Sequence, residues 1–145
     1  MACYCIAITY FVATCRRAAR IQNAPPSFYA TYRQQPLESA FELLVLAPII
    51  ESLVVVGVFE LVRCAHAPAV VQVLTAAAFV SELHVWPWWP HAIIVFPAFC
   101  IDAGSYLYWR SRGSWKAAFV VIASIHALSN SLTAIAALGY ALRKV

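Results

Sequence analysis

AAFVVIASIHALSNSLTAIAALGYAL, residues 117–142, contains no Asp, Glu, Lys or Arg. At 1.5 Å per residue a helix of this stretch crosses a hydrocarbon core of about 30 Å with some tilt. Working towards the N-terminus, a basic turn precedes it, with Arg110, Arg112 and Lys116. Before that turn lies a third apolar segment, Ala92 to Trp109. A second runs from Ala67 to Trp86 and ends in Trp86-Pro87-Trp88-Trp89-Pro90, an aromatic density expected at a membrane surface. The first runs from Glu38 to Val62 and is closed by Arg63. Four such segments predict an all-α fold, a polytopic transmembrane helix bundle.

Composition agrees with that reading. The 145 residues have a mean hydropathy of +0.77, with 63% hydrophobic and 11% charged residues. Soluble domains carry about 25% charged residues, so the deficit points to lipid as the solvent. The net charge of +4 is scattered and contains no basic run of the kind that binds nucleic acid. Instead the cations flank apolar stretches as interfacial anchors: Arg16, Arg17 and Arg20, then Arg110, Arg112 and Lys116, then Arg143 and Lys144. Five cysteines (Cys3, Cys5, Cys15, Cys64, Cys100) form no CxxC pair and read as reduced small residues.

The chain divides at about residue 37. Residues 1–37 hold an apolar run, Cys3 to Thr14, and a polar loop containing Pro25, Pro26 and Pro36. Arg16 and Arg17 follow the run, a polarity opposite to that of a cleavable signal, so it reads as a short N-terminal helix. Residues 38–145 form the four-helix core. With the loop on the cytoplasmic side, six cations (Arg16, Arg17, Arg20, Arg33, Arg143, Lys144) face Arg63, Arg110, Arg112 and Lys116 across the membrane, a small majority for that orientation.

An ionisable residue inside a bilayer costs several kcal/mol and marks function by default. Those here are Glu42, Glu51, Glu60, Glu82, His84, Asp102 and His126, joined by the neutral hydrogen-bonder Asn130. Glu42, Glu51 and Glu60 are spaced by nine residues, which turns a helix by about 900° and sets Glu51 opposite the other two. Glu42 and Glu60 lie near the segment ends, where contact with water is open to them. Glu51 is central. Pro48 lacks a backbone donor and is expected to free the carbonyl of Leu44 beside it. His126 and Asn130, at i and i+4, share one helix face. Asp102 is expected to contact the basic turn, and Gly104 to permit close helix packing. An acid, two histidines and an amide on three helices can activate water, hold a metal or stabilise an oxyanion.

At these residues the sequence resembles the CPBP family of intramembrane proteases, which includes the prenyl-protein (CAAX) endopeptidases and bacteriocin-processing or immunity proteins. Ala47-Pro48-Ile49-Ile50-Glu51-Ser52-Leu53 is similar to the first motif and its lead-in. Ala78-Phe79-Val80-Ser81-Glu82-Leu83-His84 is similar to the second, F-x-x-x-H, with its phenylalanine displaced by one. His126-Ala127-Leu128-Ser129-Asn130 matches the third, H-x-x-x-N. The order holds over residues 40–141. The resemblance implies a metalloendopeptidase in the cell membrane of a prokaryote, acting on a membrane-associated peptide or prenylated protein. Glu51 would activate water, and His84, His126 and Asn130 would bind that water, a divalent metal such as zinc (on His84 and His126) or the oxyanion. Ser52 and Val56 stand where the family has a second glutamate and an arginine. Their presence opens an alternative, a catalytically inactive membrane protein of the same fold acting in immunity or as a binding module.

Overall fold

The computed structural model describes residues 34–85 and 89–142. The apolar run Cys3–Thr14, the basic residues up to Arg33, Trp86 to Trp88, and Arg143 and Lys144 lie outside the described residues. Within them the chain is helical, with no strand: α1 (Pro36–Cys64), α2 (Ala69–Glu82), α3 (Pro90–Arg110) and α4 (Trp115–Leu142). Proline begins α1 and α3, where a missing N–H costs nothing.

The connections are short and chemically specified. His66 has φ 58° and ends α1; its N–H donates to the Arg63 carbonyl, while Ala67 N–H reaches back to Val62. This is a Schellman closure built on a residue with a Cβ. Pro68 prevents continuation, and Gln72 fastens the new helix by donating Nε2 to the Ala67 carbonyl at 2.6 Å. Between α3 and α4, Ser114 Oγ accepts the N–H of Ala117 at 3.2 Å, an N-cap.

α1, α3 and α4 each contain a window long and apolar enough to cross a membrane, and at most 28% of any such window is buried inside the bundle. Most of their apolar surface therefore points outward. Leu61, Ile93, Val120, Leu128 and Ile135 are among the exposed large side chains, a surface that water does not tolerate and lipid does. α2 is apolar but has 14 residues, about 21 Å, short of the 30 Å core.

Each helix buries a single stripe. α1 buries Pro48, Ser52, Val55, Val56 and Phe59; α3 buries Phe99, Asp102, Ala103 and Tyr106. α2 contributes Ala76, Ala77 and Val80, and α4 contributes Ala118, Ile122, His126 and Ala134, spaced by multiples of four. The alanines allow α2 to pack against both α1 and α3, and α4 against α3 and α1. Gly104 does not serve that end: a Cβ there would meet nothing within 4 Å, because the residue faces away from the helix contacts.

Glu60 ties α1 to α3. One carboxylate oxygen accepts Tyr106 Oη–H at 2.8 Å and Arg110 Nε–H at 2.9 Å, while the other accepts Arg63 Nε–H at 2.7 Å. It is bound by partners from both helices and stays partly exposed as well. Glu42, by contrast, is exposed.

Candidate functional site

All four helices deliver a side chain to one place. Glu51 lies beside the buried stripe of α1, and His126 lies on that of α4. His84 comes from the turn that extends α2, in which Leu83, His84 and Val85 donate their N–H groups three residues back. This extension, together with the packing of α2 against α1, carries His84 to within 3.5 Å of Glu51. Glu51 Oε1 is 3.5 Å from His84 Nε2, and Glu51 Oε2 is 3.3 Å from His126 Nε2. One carboxylate thus spans two imidazoles.

The far nitrogen of each ring is also engaged. His84 Nδ1 lies 3.0 Å from the Val80 carbonyl, which fixes the proton on Nδ1 in the neutral ring. His126 Nδ1 is 3.2 Å from Asp102 Oδ2, an ion-pair contact whose angle is too oblique for a hydrogen bond. Asp102 is buried and contributed by α3. It does not reach the basic turn: its position in α3, eight residues before Arg110, turns it to the core face. Phe99, one turn earlier, packs its ring 5.3 Å from His84 and 5.5 Å from His126, walling both imidazoles. His91, in the first turn of α3, meets His84 edge-on at 5.3 Å.

The electrostatics follow. With its Nδ1 proton on the Val80 carbonyl, neutral His84 turns an Nε2 lone pair to the Glu51 carboxylate, a repulsive contact that a second proton on the ring or a bound cation relieves. His84 lies beyond the end of α2, outside the three spans. Burial disfavours its imidazolium, but the Glu51 carboxylate and the Val80 carbonyl outweigh burial and raise its pKa. Two hydroxyls, Ser52 Oγ on α1 and Ser81 Oγ on α2, are buried without a hydrogen-bond partner.

Only His84 has its far nitrogen hydrogen-bonded to an oxygen, the pattern that orients a ligating histidine; His126 Nδ1 has Asp102 nearby without a hydrogen bond. Among the described residues, however, no group of three or more His, Cys, Asp or Glu is arranged to hold a metal ion. Asn130 is placed differently from the other three sequence candidates. Its Nδ2 donates to the Leu43 carbonyl of α1 at 3.0 Å. Asp102 as the partner of His126 was not legible in the sequence, and neither was His91; the only signal for Asp102 was its charge within an apolar segment. Cys64 and Cys100 are free thiols. No family model matches the chain, and no curated protein or solved structure matches it significantly.

Proposed function

We propose that this chain is an intramembrane endopeptidase of the CPBP type, hydrolysing a peptide bond of a membrane-associated or prenylated substrate in the cell membrane of a prokaryote. The observation that carries the reading is the Glu51 carboxylate held between His84 and His126, with Asp102 behind His126. Glu51 takes a proton from a water, and the oxygen of that water attacks the scissile carbonyl carbon. The carbonyl π electrons move to oxygen, where positive charge at the two Nε2 atoms stabilises the oxyanion. Collapse re-forms the carbonyl, breaks the C–N bond and returns the proton from Glu51 to the leaving amine. Asp102 and Phe99 hold the His126 ring against rotation.

A divalent ion such as zinc, held by His84 and His126, would supply Lewis acidity at the carbonyl oxygen. The metal content of purified protein, compared with that of the His84→Ala/His126→Ala variant, separates bound ion from imidazolium as the source of charge. In liposomes, Glu51→Gln and His126→Ala should each reduce cleavage of a membrane-tethered peptide by about 10²–10⁴-fold. Undiminished cleavage in either variant rejects the mechanism.

A second reading has its own support. Ser52 is buried with an unpartnered hydroxyl, and Val56 packs in the apolar core, where the resemblance expects a glutamate and an arginine. A non-catalytic membrane module of this fold, acting in immunity or binding, keeps its cellular phenotype in the Glu51→Gln variant.

A further inference from the structure

The contact between Asn130 and Leu43 answers a specific defect in α1. Residues Glu42–Leu46 form one turn of π-helix, closed by the Ala47 N–H donating to the Glu42 carbonyl. In a regular α-helix that N–H would serve Leu43, so Leu43 loses its usual donor. The next bond in the π register would come from the N–H of residue 48. That residue is Pro48 and has none. Leu43 therefore carries a partly buried carbonyl that neither helical register can satisfy. An unpaired buried carbonyl costs free energy comparable to a lost hydrogen bond. The π turn thus adds Leu43 to the carbonyl of Leu44, whose α-helical donor would also be residue 48.

We infer that Asn130 is a positioning residue whose amide replaces the N–H that Pro48 lacks, locks the π turn of α1 onto α4, and fixes the rotation at which Glu51 meets His126. Asn130 and His126 are one turn apart on α4, and Leu43 and Glu51 are about two turns apart on α1. The clamp and the carboxylate–imidazole contact thus join the same two helices at adjacent levels. Alongside these contacts, an apolar groove between α1 and α4 is lined by Leu44, Val45, Pro48, Phe119, Ala123 and Ala127. Side-chain packing is open there, and the Asn130 hydrogen bond holds the helices in register. Collapse of the π turn would rotate Glu51 by about 100° relative to the start of α1, one residue's worth. The inference stands whether or not the site cleaves peptides.

The test uses the full chain in liposomes and needs no substrate. Backbone hydrogen exchange is followed over residues 42–47. Oxidative cross-linking is measured between Glu51→Cys and His126→Cys, with the five native cysteines replaced by alanine. Asn130→Ala should raise exchange in the π turn about tenfold and slow cross-linking several-fold. Asn130→Asp, whose carboxylate cannot donate, should do the same. Pro48→Ala restores a donor at position 48, so in that background Asn130→Ala should change both readouts less than about twofold. Equal effects in the Pro48 and Pro48→Ala backgrounds, or no effect in either, overturn the inference. Where Asn130→Ala alone does not fold, folding of the Pro48→Ala/Asn130→Ala variant supports the clamp, and failure of both refutes it.

Discussion

Replacing Asp102 by asparagine removes a charge while leaving volume and shape almost unchanged, so its effects isolate the electrostatic link to His126. The carboxylate is 4% exposed and lies 3.2 Å from His126 Nδ1. Breaking a buried ion pair usually costs about 3–5 kcal/mol, because the surviving charge is stranded. Here His126 keeps Glu51 at its other nitrogen, 3.3 Å away. With that second partner retained and no hydrogen bond to lose, the loss should fall below this range, at less than about 3 kcal/mol. On the proposed reaction, releasing the partner that orients His126 should lower kcat about 10–100-fold with little change in KM. The assay pairs reversible unfolding in mixed micelles with cleavage of a membrane-tethered peptide in liposomes, reading kcat and KM separately. A destabilised variant with wild-type kcat would show that Asp102 only packs the bundle. A variant equal to wild type in both readings would refute the link altogether.

Three further outcomes follow from the same coordinates. Tyr106→Phe fills the same fully buried space but deletes the hydroxyl on Glu60; with Arg63 and Arg110 still bound to that acid, the cost should be about 1.5 kcal/mol in micellar unfolding, and an unchanged midpoint would count against the network. His66→Gly relieves the left-handed backbone at the end of α1 and should stabilise the protein by about 0.5–1 kcal/mol, whereas a loss would mean that the His66 side chain has a role of its own. The pKa of His84 is raised above the ordinary value of 6.5, so its pairing with Glu51 is fully stabilising below that pH and is lost as pH rises through the folded value. Glu51→Gln should flatten this part of the stability–pH profile, and a profile identical to wild type would show that Glu51 is not the cause.

Much of the fold was readable because lipid makes composition informative. Apolar segments of 18 residues or more with few charges are rare in soluble proteins, and three of the four expected helices are long enough to span. The same scarcity exposed Glu51, His84 and His126 as polar residues in apolar runs. What depends on how helices meet was not readable. Asp102 read as a neighbour of the basic turn because Arg110 and Arg112 are close in sequence, whereas its actual partner is 24 residues further on and reaches it only through α3–α4 packing. Pro48 signalled an unpaired carbonyl at Leu44, but the π turn that also deprives Leu43 of its donor is a choice between registers that residue types do not specify. Gly104 looked like a packing residue because glycine often is one; which face it occupies is settled by its neighbours.

The brevity of α2 has a consequence for the surrounding lipid. A 14-residue helix beside spans of 21 and 29 residues gives the protein an uneven hydrophobic girdle. Acyl chains along the α2 flank must shorten, tilt or yield to water, while those on the other flanks need not, at fractions of a kcal/mol per Å of mismatch. His84 stands at the end of that flank, so the thinnest part of the bilayer lies next to one wall of the carboxylate–imidazole cluster. Thinner bilayers are therefore expected to admit more water to the cluster. The lipids of the host compartment act as a setting of the site as well as its solvent.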